Sequence, residues 1–155
     1  MVTRLQDEIK QRKPFRSLRE EALLNIARTA AALEHEVAQA LKPYDITPTQ
    51  YNVLRILRGA GAEGLCRNEV GARLIRRVPD VTRLLDRMEE TGLLVRQRSG
   101  TDRRYVTTTI AKKGLDLLAR LEGPITEIHR AQLGHVAEAR LRTLVDLLDE
   151  VRSRP

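Results

Sequence analysis

Cysteine and aromatic residues are scarce in this chain. Its 155 residues include one cysteine, Cys66, and no tryptophan, and aromatic side chains make up only 3% of the sequence. A single cysteine excludes an internal disulfide framework and a cysteine-rich metal site. Because 41% of the residues are hydrophobic but few are aromatic, the core must be largely aliphatic, which favours helices packed on helices.

Long apolar runs and targeting signals are also missing. No hydrophobic stretch approaches the roughly 18 residues that span a bilayer. The first residues, MVTRLQDEIKQRKPF, are charged and lack the apolar centre of a secretory signal. We therefore expect a cytoplasmic protein with no membrane partner.

The sequence shows no catalytic or metal-binding motif. It contains no nucleophile elbow, no phosphate-binding glycine loop and no paired histidine and carboxylate motif. The three histidines, His35, His129 and His135, are scattered, with no cysteine or carboxylate cluster at ligand spacing. We therefore expect neither an enzyme nor a bound metal or cofactor.

Positive charge is what the chain has in excess. Its net charge of +7 and pI near 10.2 favour a polyanionic partner. Nucleic acid fits this best, although an anionic membrane surface is compatible with charge alone. Residues 1–16 hold several of the basic side chains with little apolar pattern, and we expect a solvated extension there rather than a DNA-contacting arm.

Helical periodicity begins at Ser17 and continues to about Lys42. Ser17 and Glu20 form a capping-box pattern, in which each side chain accepts from the other's backbone N–H. One broad apolar stripe follows, formed by Leu18, Ala22, Ile26, Ala30, Leu33, Val37 and Leu41. A stripe of this width predicts contact with more than one neighbour, and a second subunit is one candidate.

The next two helices are short and closely spaced. Thr47 as N-cap, Pro48 at the first position and Gln50 closing the capping box mark the start of one helix. A shorter helix is expected from about Arg67 to Ile75, followed by a turn with Arg76, Arg77 and Pro79. Two short helices joined by such a tight turn, the second carrying exposed polar side chains, are typical of a helix-turn-helix.

A further helix and a hairpin complete that unit. The spacing of Val81, Leu84, Leu85 and Met88 predicts an apolar helix face, which leaves Thr82, Arg83, Asp86 and Arg87 towards solvent. Gly92 ends the helix. Residues 93–99 and 103–110 then read as two strands around the turn formers of residues 99–102. This pattern predicts a winged helix-turn-helix made to hold DNA.

The end of the chain is helical again. One amphipathic pattern starts at Ala111 and runs through Gly123 and Pro124, where we expect a kink. A final helix is expected from Ala137 to Arg152. These apolar faces exceed what a small winged unit covers. We therefore predict one domain over residues 1–155, mainly α with a small β-wing, in which 45–110 form the DNA-binding lobe and 17–42 with 111–155 form a helical dimerisation region.

Two motifs carry a family resemblance. Asp102, Arg104, Ile110 and Gly114 match a wing pattern of D-x-R, three variable residues, then L-x-L-T-x-x-G, and the segment PDVTRLLDRMEETGLL matches the recognition helix of the same proteins. With the order of elements from Ser17 to Val151, the chain resembles the MarR family of bacterial transcription regulators. Thr108 and Ala111 depart from the pattern. Ala111 replaces a helix-capping threonine, so we expect a weaker helix start, capped by Thr109 instead.

The resemblance implies a homodimer that binds double-stranded DNA. Two recognition helices would enter successive major grooves of a pseudo-palindromic operator, and the wings would reach the flanking minor grooves. A small effector, often an aromatic acid or other phenolic compound in the family, would bind between the dimerisation region and the lobe. The expected function is a repressor released by that effector.

The expected DNA contacts lie in three places. Arg76 and Arg77 of the turn are expected to contact phosphates, and Arg96 and Arg98 of the first strand are expected at phosphates or in solvent. Thr82, Arg83 and Arg87 are expected at base edges, while Pro79 and Asp80 start the helix and Asp80 caps it. Arg83 and Arg87 have an alternative, which is pairing with Asp86, Glu89 or Glu90. In the wing, Asp102 is expected to brace one of Arg103 and Arg104 while the other enters the minor groove.

Other assignments remain open at this stage. The family arrangement places Phe15, Arg28, Tyr51 and Arg55 around the effector pocket. Cys66 suggests a redox-responsive regulator, but we expect it to be structural. Two further alternatives are an architectural protein that binds DNA without sequence preference and a helical adaptor that binds another protein.

Overall fold

A computed structural model describes residues 4–98, 100–102 and 104–153. The N-terminal part contains a short helix α1, Leu5–Glu8, followed by the long helix α2, Leu18–Leu41. Leu5 is buried, and Glu8 lies 3.9 Å from Arg28 of α2. The expectation of a solvated extension is therefore wrong for Leu5–Glu8, since a buried apolar side chain holds this helix to the protein.

Only half of the expected capping box forms at the start of α2. The hydroxyl of Ser17 accepts a hydrogen bond from the Glu20 N–H at 3.1 Å. The carboxylate of Glu20, however, accepts from the N–H of Arg16 at 2.6 Å rather than from that of Ser17. The backbone N–H groups of Glu20, in the first turn, and of Arg16, just before the helix, are thus both hydrogen-bonded.

The lobe contains three helices: α3, Pro48–Ala60; α4, Arg67–Arg73; and α5, Val81–Glu90. Helices α4 and α5, with the turn between them, form the helix-turn-helix. The capping box of α3 is confirmed in full, with the Thr47 hydroxyl and the Gln50 side chain each accepting from the other's N–H at 3.1 and 3.0 Å. Gly61 has a φ of 67° at the end of α3, a conformation that glycine adopts without steric cost.

The wing is an antiparallel pair of strands, β1, Leu94–Arg98, and β2, Val106–Ile110, with Leu94 opposite Ile110 and Arg98 opposite Val106. Both strands are shorter than the sequence pattern predicted. Thr108 is buried, and its backbone exchanges two hydrogen bonds with Leu65 at 2.8 and 2.9 Å. The wing is therefore anchored to the segment that precedes α4.

Helix α6, Lys112–Leu133, continues through Pro124, and α7, Glu138–Arg152, follows it. Ala111 caps α6 without a side-chain hydrogen bond, and no hydrogen bond from the Thr109 side chain is found in the described part of the chain. The expected cap by Thr109 is therefore wrong. The helix start is held instead by the Ala111 N–H, which donates to the Leu93 carbonyl at 3.0 Å.

The core lies inside the lobe and under α6. It is aliphatic, as the composition predicted, and its fully enclosed members include Val53, Leu54, Leu57, Val70, Leu85, Met88 and Leu121. By contrast, α7 contains no buried residue, and leucines of α2 and α7 are exposed in the single chain. Within the described residues, no helix is long and apolar enough to cross a membrane.

Candidate nucleic-acid interface

Helix α5 presents a polar face because its other face is buried. Leu85 and Met88 are almost completely enclosed, so Arg83 and Arg87 project outwards and are exposed. Asp80 caps the helix as expected, with a carboxylate oxygen 2.9 Å from the Arg83 N–H. Among the residues that the structure describes, neither arginine side chain has an ion-pair partner. Both guanidinium groups are therefore available to an external anion.

The acidic residues of α5 are engaged by Arg96 of β1. Its guanidinium donates to Glu89 at 2.9 and 2.6 Å and to Asp86 at 2.5 Å. Burial alone would lower the pKa of Arg96, but hydrogen bonds to the two carboxylates outweigh it and raise the pKa above its ordinary value. With only 22% of its side chain exposed, Arg96 joins the wing to α5. The expectation that it contacts phosphate or solvent is wrong.

Arg67, which the sequence analysis did not single out, connects α4 to α5. Its Nη1 donates to the Thr82 hydroxyl at 3.0 Å. The two residues share a groove of about 720 Å³ between α4 and α5, which Arg77, Pro79 and Asp80 also line. The turn therefore places several of the predicted DNA-binding residues along one groove. The only sequence signal for Arg67 was its place at the start of a short helix.

The turn before α5 is fixed from two sides. The Ile75 N–H donates to the Asn52 side chain of α3 at 2.9 Å. Arg76, expected at a phosphate, instead forms an ion pair with Glu34 of α2. Arg77 has no such partner in the described part of the chain and is exposed, so of the two arginines it is the one directly available to phosphate.

Asp102 braces the wing turn through the backbone. Its carboxylate accepts from the Arg104 N–H at 2.9 Å, and its carbonyl accepts from the Tyr105 N–H at 3.0 Å. The brace therefore engages the main-chain N–H of Arg104, and the side chain of Arg104 is left exposed at the wing. Arg103 lies outside the described residues. Arg98 is exposed at the end of β1.

A second cavity of about 360 Å³ lies between α4, α5 and the wing. Cys66 forms part of its wall, half-buried, together with Arg104 and Tyr105. The Cys66 N–H donates to Glu69 at 2.8 Å, which lowers the pKa of that carboxyl, and the charge on Glu69 raises the pKa of Tyr105. Within the described ranges, no three histidine, cysteine or acidic side chains are grouped to hold a metal ion.

The four residues expected around an effector are not gathered in either cavity. Arg55 lies over the ring of Tyr51, 6.0 Å from its centroid, on one turn of α3. Arg28 is 3.9 Å from Glu8, and Phe15 is half-buried before α2. They lie on α3, on α2 and in the segment before α2.

Comparison with known proteins identifies the family. A sequence model described as MarR family matches residues 44–104. A crystal structure of a MarR transcription factor from Planctomyces limnophilus is 36% identical, with a TM-score of 0.68, over 88% of this chain and 98% of that one. The Escherichia coli homoprotocatechuate degradative operon repressor is 27% identical over 71% of this chain and 73% of its own. A mutant MarR from E. coli complexed with operator DNA shares the fold, with a TM-score of 0.75 and 22% identity over 96% and 99% of the two chains. The chain belongs to the MarR family of transcription regulators.

Proposed function

We propose that this protein is a dimeric, sequence-specific DNA-binding repressor of transcription. The observation that carries the proposal is the outward face of α5, where Arg83 and Arg87 are exposed without carboxylate partners among the described residues. Such arginines can donate in a fork to guanine O6 and N7. The carboxylates that would have neutralised them, Asp86 and Glu89, bind Arg96 instead.

Dimerisation is supported by apolar surface that the single chain leaves uncovered. On α7, Leu144, Val145, Leu147 and Val151 are 44%, 56%, 53% and 48% exposed, and on α2 Leu18 and Leu23 are 80% and 60% exposed. Large apolar side chains exposed in this number on two helices favour an interaction surface. A second copy, placed against these helices, would hold two lobes at a fixed spacing.

The proposed DNA contacts follow from the positions of the basic residues. The two α5 helices enter successive major grooves of a pseudo-palindromic operator. Arg77 and Arg98 neutralise phosphates, as does Arg76 once it is released from Glu34. One of Arg103 and Arg104 enters the minor groove at the wing. A bound mutant MarR of the same fold, complexed with operator DNA, supports this mode of binding.

The proposal includes a small aromatic or phenolic effector that releases the DNA. The similar repressor of E. coli is named for an operon that degrades homoprotocatechuate, which is a phenolic acid. Phe15, Arg28, Tyr51 and Arg55 are proposed to border the effector, with an arginine for its carboxylate and aromatic rings for its ring. The protein acts on chromosomal DNA in the cytoplasm.

Selection of duplexes from a randomised pool by the purified protein tests this proposal. We expect one two-fold-symmetric sequence of roughly 16 to 20 base pairs to emerge, with a binding constant that falls steeply as salt rises. Equal affinity for all duplexes would support an architectural protein instead. Unchanged binding after Arg83→Ala and Arg104→Ala together would support an adaptor. Release by peroxide from the natural protein but not from Cys66→Ser would support redox control.

A further inference from the structure

Arg67 and Thr82 form a pair at the centre of the proposed DNA-binding surface. Arg67 is the first residue of α4 and Thr82 the second residue of α5, and the bond of 3.0 Å from Nη1 to Oγ1 joins the two helices. Both residues line the groove of about 720 Å³ and the cavity of about 360 Å³. The pair therefore occupies the ridge between the two openings.

The charge on Arg67 is not neutralised within the part of the chain that the structure describes. Two other arginines of the lobe do have carboxylate partners, since Arg96 binds two acidic residues of α5 and Arg76 binds Glu34. Arg67 has none, and its side chain is exposed. A guanidinium carries five N–H donors and no acceptor, so four donors remain beside the one that Thr82 accepts.

The bond from Arg67 also determines what the Thr82 hydroxyl can do. A threonine hydroxyl has one proton and two lone pairs, and the Arg67 N–H occupies one of the lone pairs. Among the described residues, no acceptor is found for the proton of the Thr82 hydroxyl. The proton is therefore left for solvent or for a ligand, next to the positive charge of Arg67.

We propose that Arg67 holds the Thr82 hydroxyl beside its own free N–H groups, so that the two residues together present donors that select guanine at one position of each half-site. The inference rests on the proposed function. Guanine offers two acceptors, N7 and O6, in the major groove, whereas adenine and thymine offer one acceptor each and cytosine offers only an amino donor. Donors of Arg67 and Thr82 held side by side therefore match guanine best. Without Arg67 a single hydroxyl donor remains, to which adenine N7 and thymine O4 are acceptors as guanine is, so the preference becomes broader.

The test compares the base preferences of three variants. Wild type, Arg67→Met, Thr82→Val and the double variant are each incubated with the duplex that wild type selects and with its single-base substitutions, and affinity is measured by fluorescence anisotropy. We expect each single variant to lose about ten-fold in discrimination for guanine at one shared position. The double variant loses no more than either single variant, because the discrimination belongs to the pair.

Arg73→Met is the matched control. Arg73 ends the same helix and carries the same charge, but it has no bond to α5 among the described residues, so guanine preference is retained in this variant. Thermal unfolding of Arg67→Met checks the fold, which an exposed side chain at a helix start should not alter.

Two results overturn the inference alone. An equal loss for all sequences with a lower salt slope in Arg67→Met identifies a phosphate contact, and additive losses in the double variant identify two independent contacts. If wild type selects no sequence at all, the proposed function fails and the inference fails with it.

Discussion

Arg76, in the turn before the recognition helix α5, forms an ion pair with Glu34 of the long helix α2. The pair spans 42 positions of sequence and joins the DNA-binding lobe to the helix that we assign to dimerisation. Both side chains are partly exposed, at 65% and 35%. Glu34 thus pairs with an arginine that we propose as a phosphate contact.

Glu34→Gln is expected to strengthen DNA binding. Phosphate and Glu34 compete for Arg76, so loss of the carboxylate releases the arginine. Exposed ion pairs contribute about 0.2–1 kcal/mol, so the gain in affinity should be roughly 1.4- to five-fold for each subunit. Fluorescence anisotropy with the selected duplex measures it.

Glu21→Gln is the control for this prediction. It removes the same charge from the same helix, and the Glu21 carboxylate has no partner among the described residues. If the removal of any negative charge were enough, both variants would gain equally in DNA affinity. Equal gains would therefore show that Glu34 does not restrain Arg76 specifically.

Arg96→Met is expected to lower both stability and DNA affinity. The change leaves Asp86 and Glu89 facing each other without their shared cation, and it detaches β1 from α5. Loss of charged hydrogen bonds in a partly buried site should cost about 1–3 kcal/mol of the free energy of unfolding. Urea unfolding of the variant, with anisotropy on the same sample, checks both effects.

Arg98→Met separates a phosphate contact from that structural role. Arg98 lies on the same strand but is exposed, so its loss should leave unfolding unchanged and reduce the slope of affinity against salt by about one ion per subunit. If Arg98→Met were destabilised, or if Arg96→Met kept its stability, the structural role and the phosphate contact would be assigned to the wrong arginines.

Gly114→Ala is expected to disrupt the join between the wing and α6. A Cβ at Gly114 would lie 2.4 Å from the Leu93 carbonyl oxygen and 2.8 Å from Cγ1 of Ile110. Neither backbone nor packed side chain can move freely, so the cost should be at least about 1–3 kcal/mol of unfolding free energy. Thermal and urea unfolding measure it.

Gly59→Ala is the comparison for that change. Gly59 lies in α3 with no atom within 4 Å of an added Cβ, and alanine favours helix by up to about 1 kcal/mol over glycine. This variant should be as stable as wild type or more so. Equal stability of the two alanine variants would show that the packing at Gly114 is looser than described.

Local signals made most of the fold predictable. The caps of α3 and α5 are encoded by neighbouring residues, Thr47 with Gln50 and Asp80 with the Arg83 N–H. The buried face of α5 follows from the spacing of Leu85 and Met88. Such patterns require only a few adjacent residues, so the sequence defines them without tertiary information.

Pairings between distant residues were not predictable in the same way. Arg96 and Arg98 alternate on one strand, and only the packing of the wing on α5 decides which one meets the carboxylates. Glu34 and Arg76, like Arg67 and Thr82, are brought together by helix packing. The expected cap by Thr109 failed for a related reason, since the Ala111 N–H is used by Leu93.

The most direct test of the central claim is the spacing of the two half-sites. Two recognition helices held by one dimer require half-sites about one helical turn apart. Duplexes with the selected sequence, with about five base pairs inserted at its centre, and with its bases shuffled are compared by anisotropy at one salt concentration. We predict that insertion lowers affinity by at least about 100-fold, towards the shuffled duplex. Equal affinity for all three would contradict a dimeric, sequence-specific regulator.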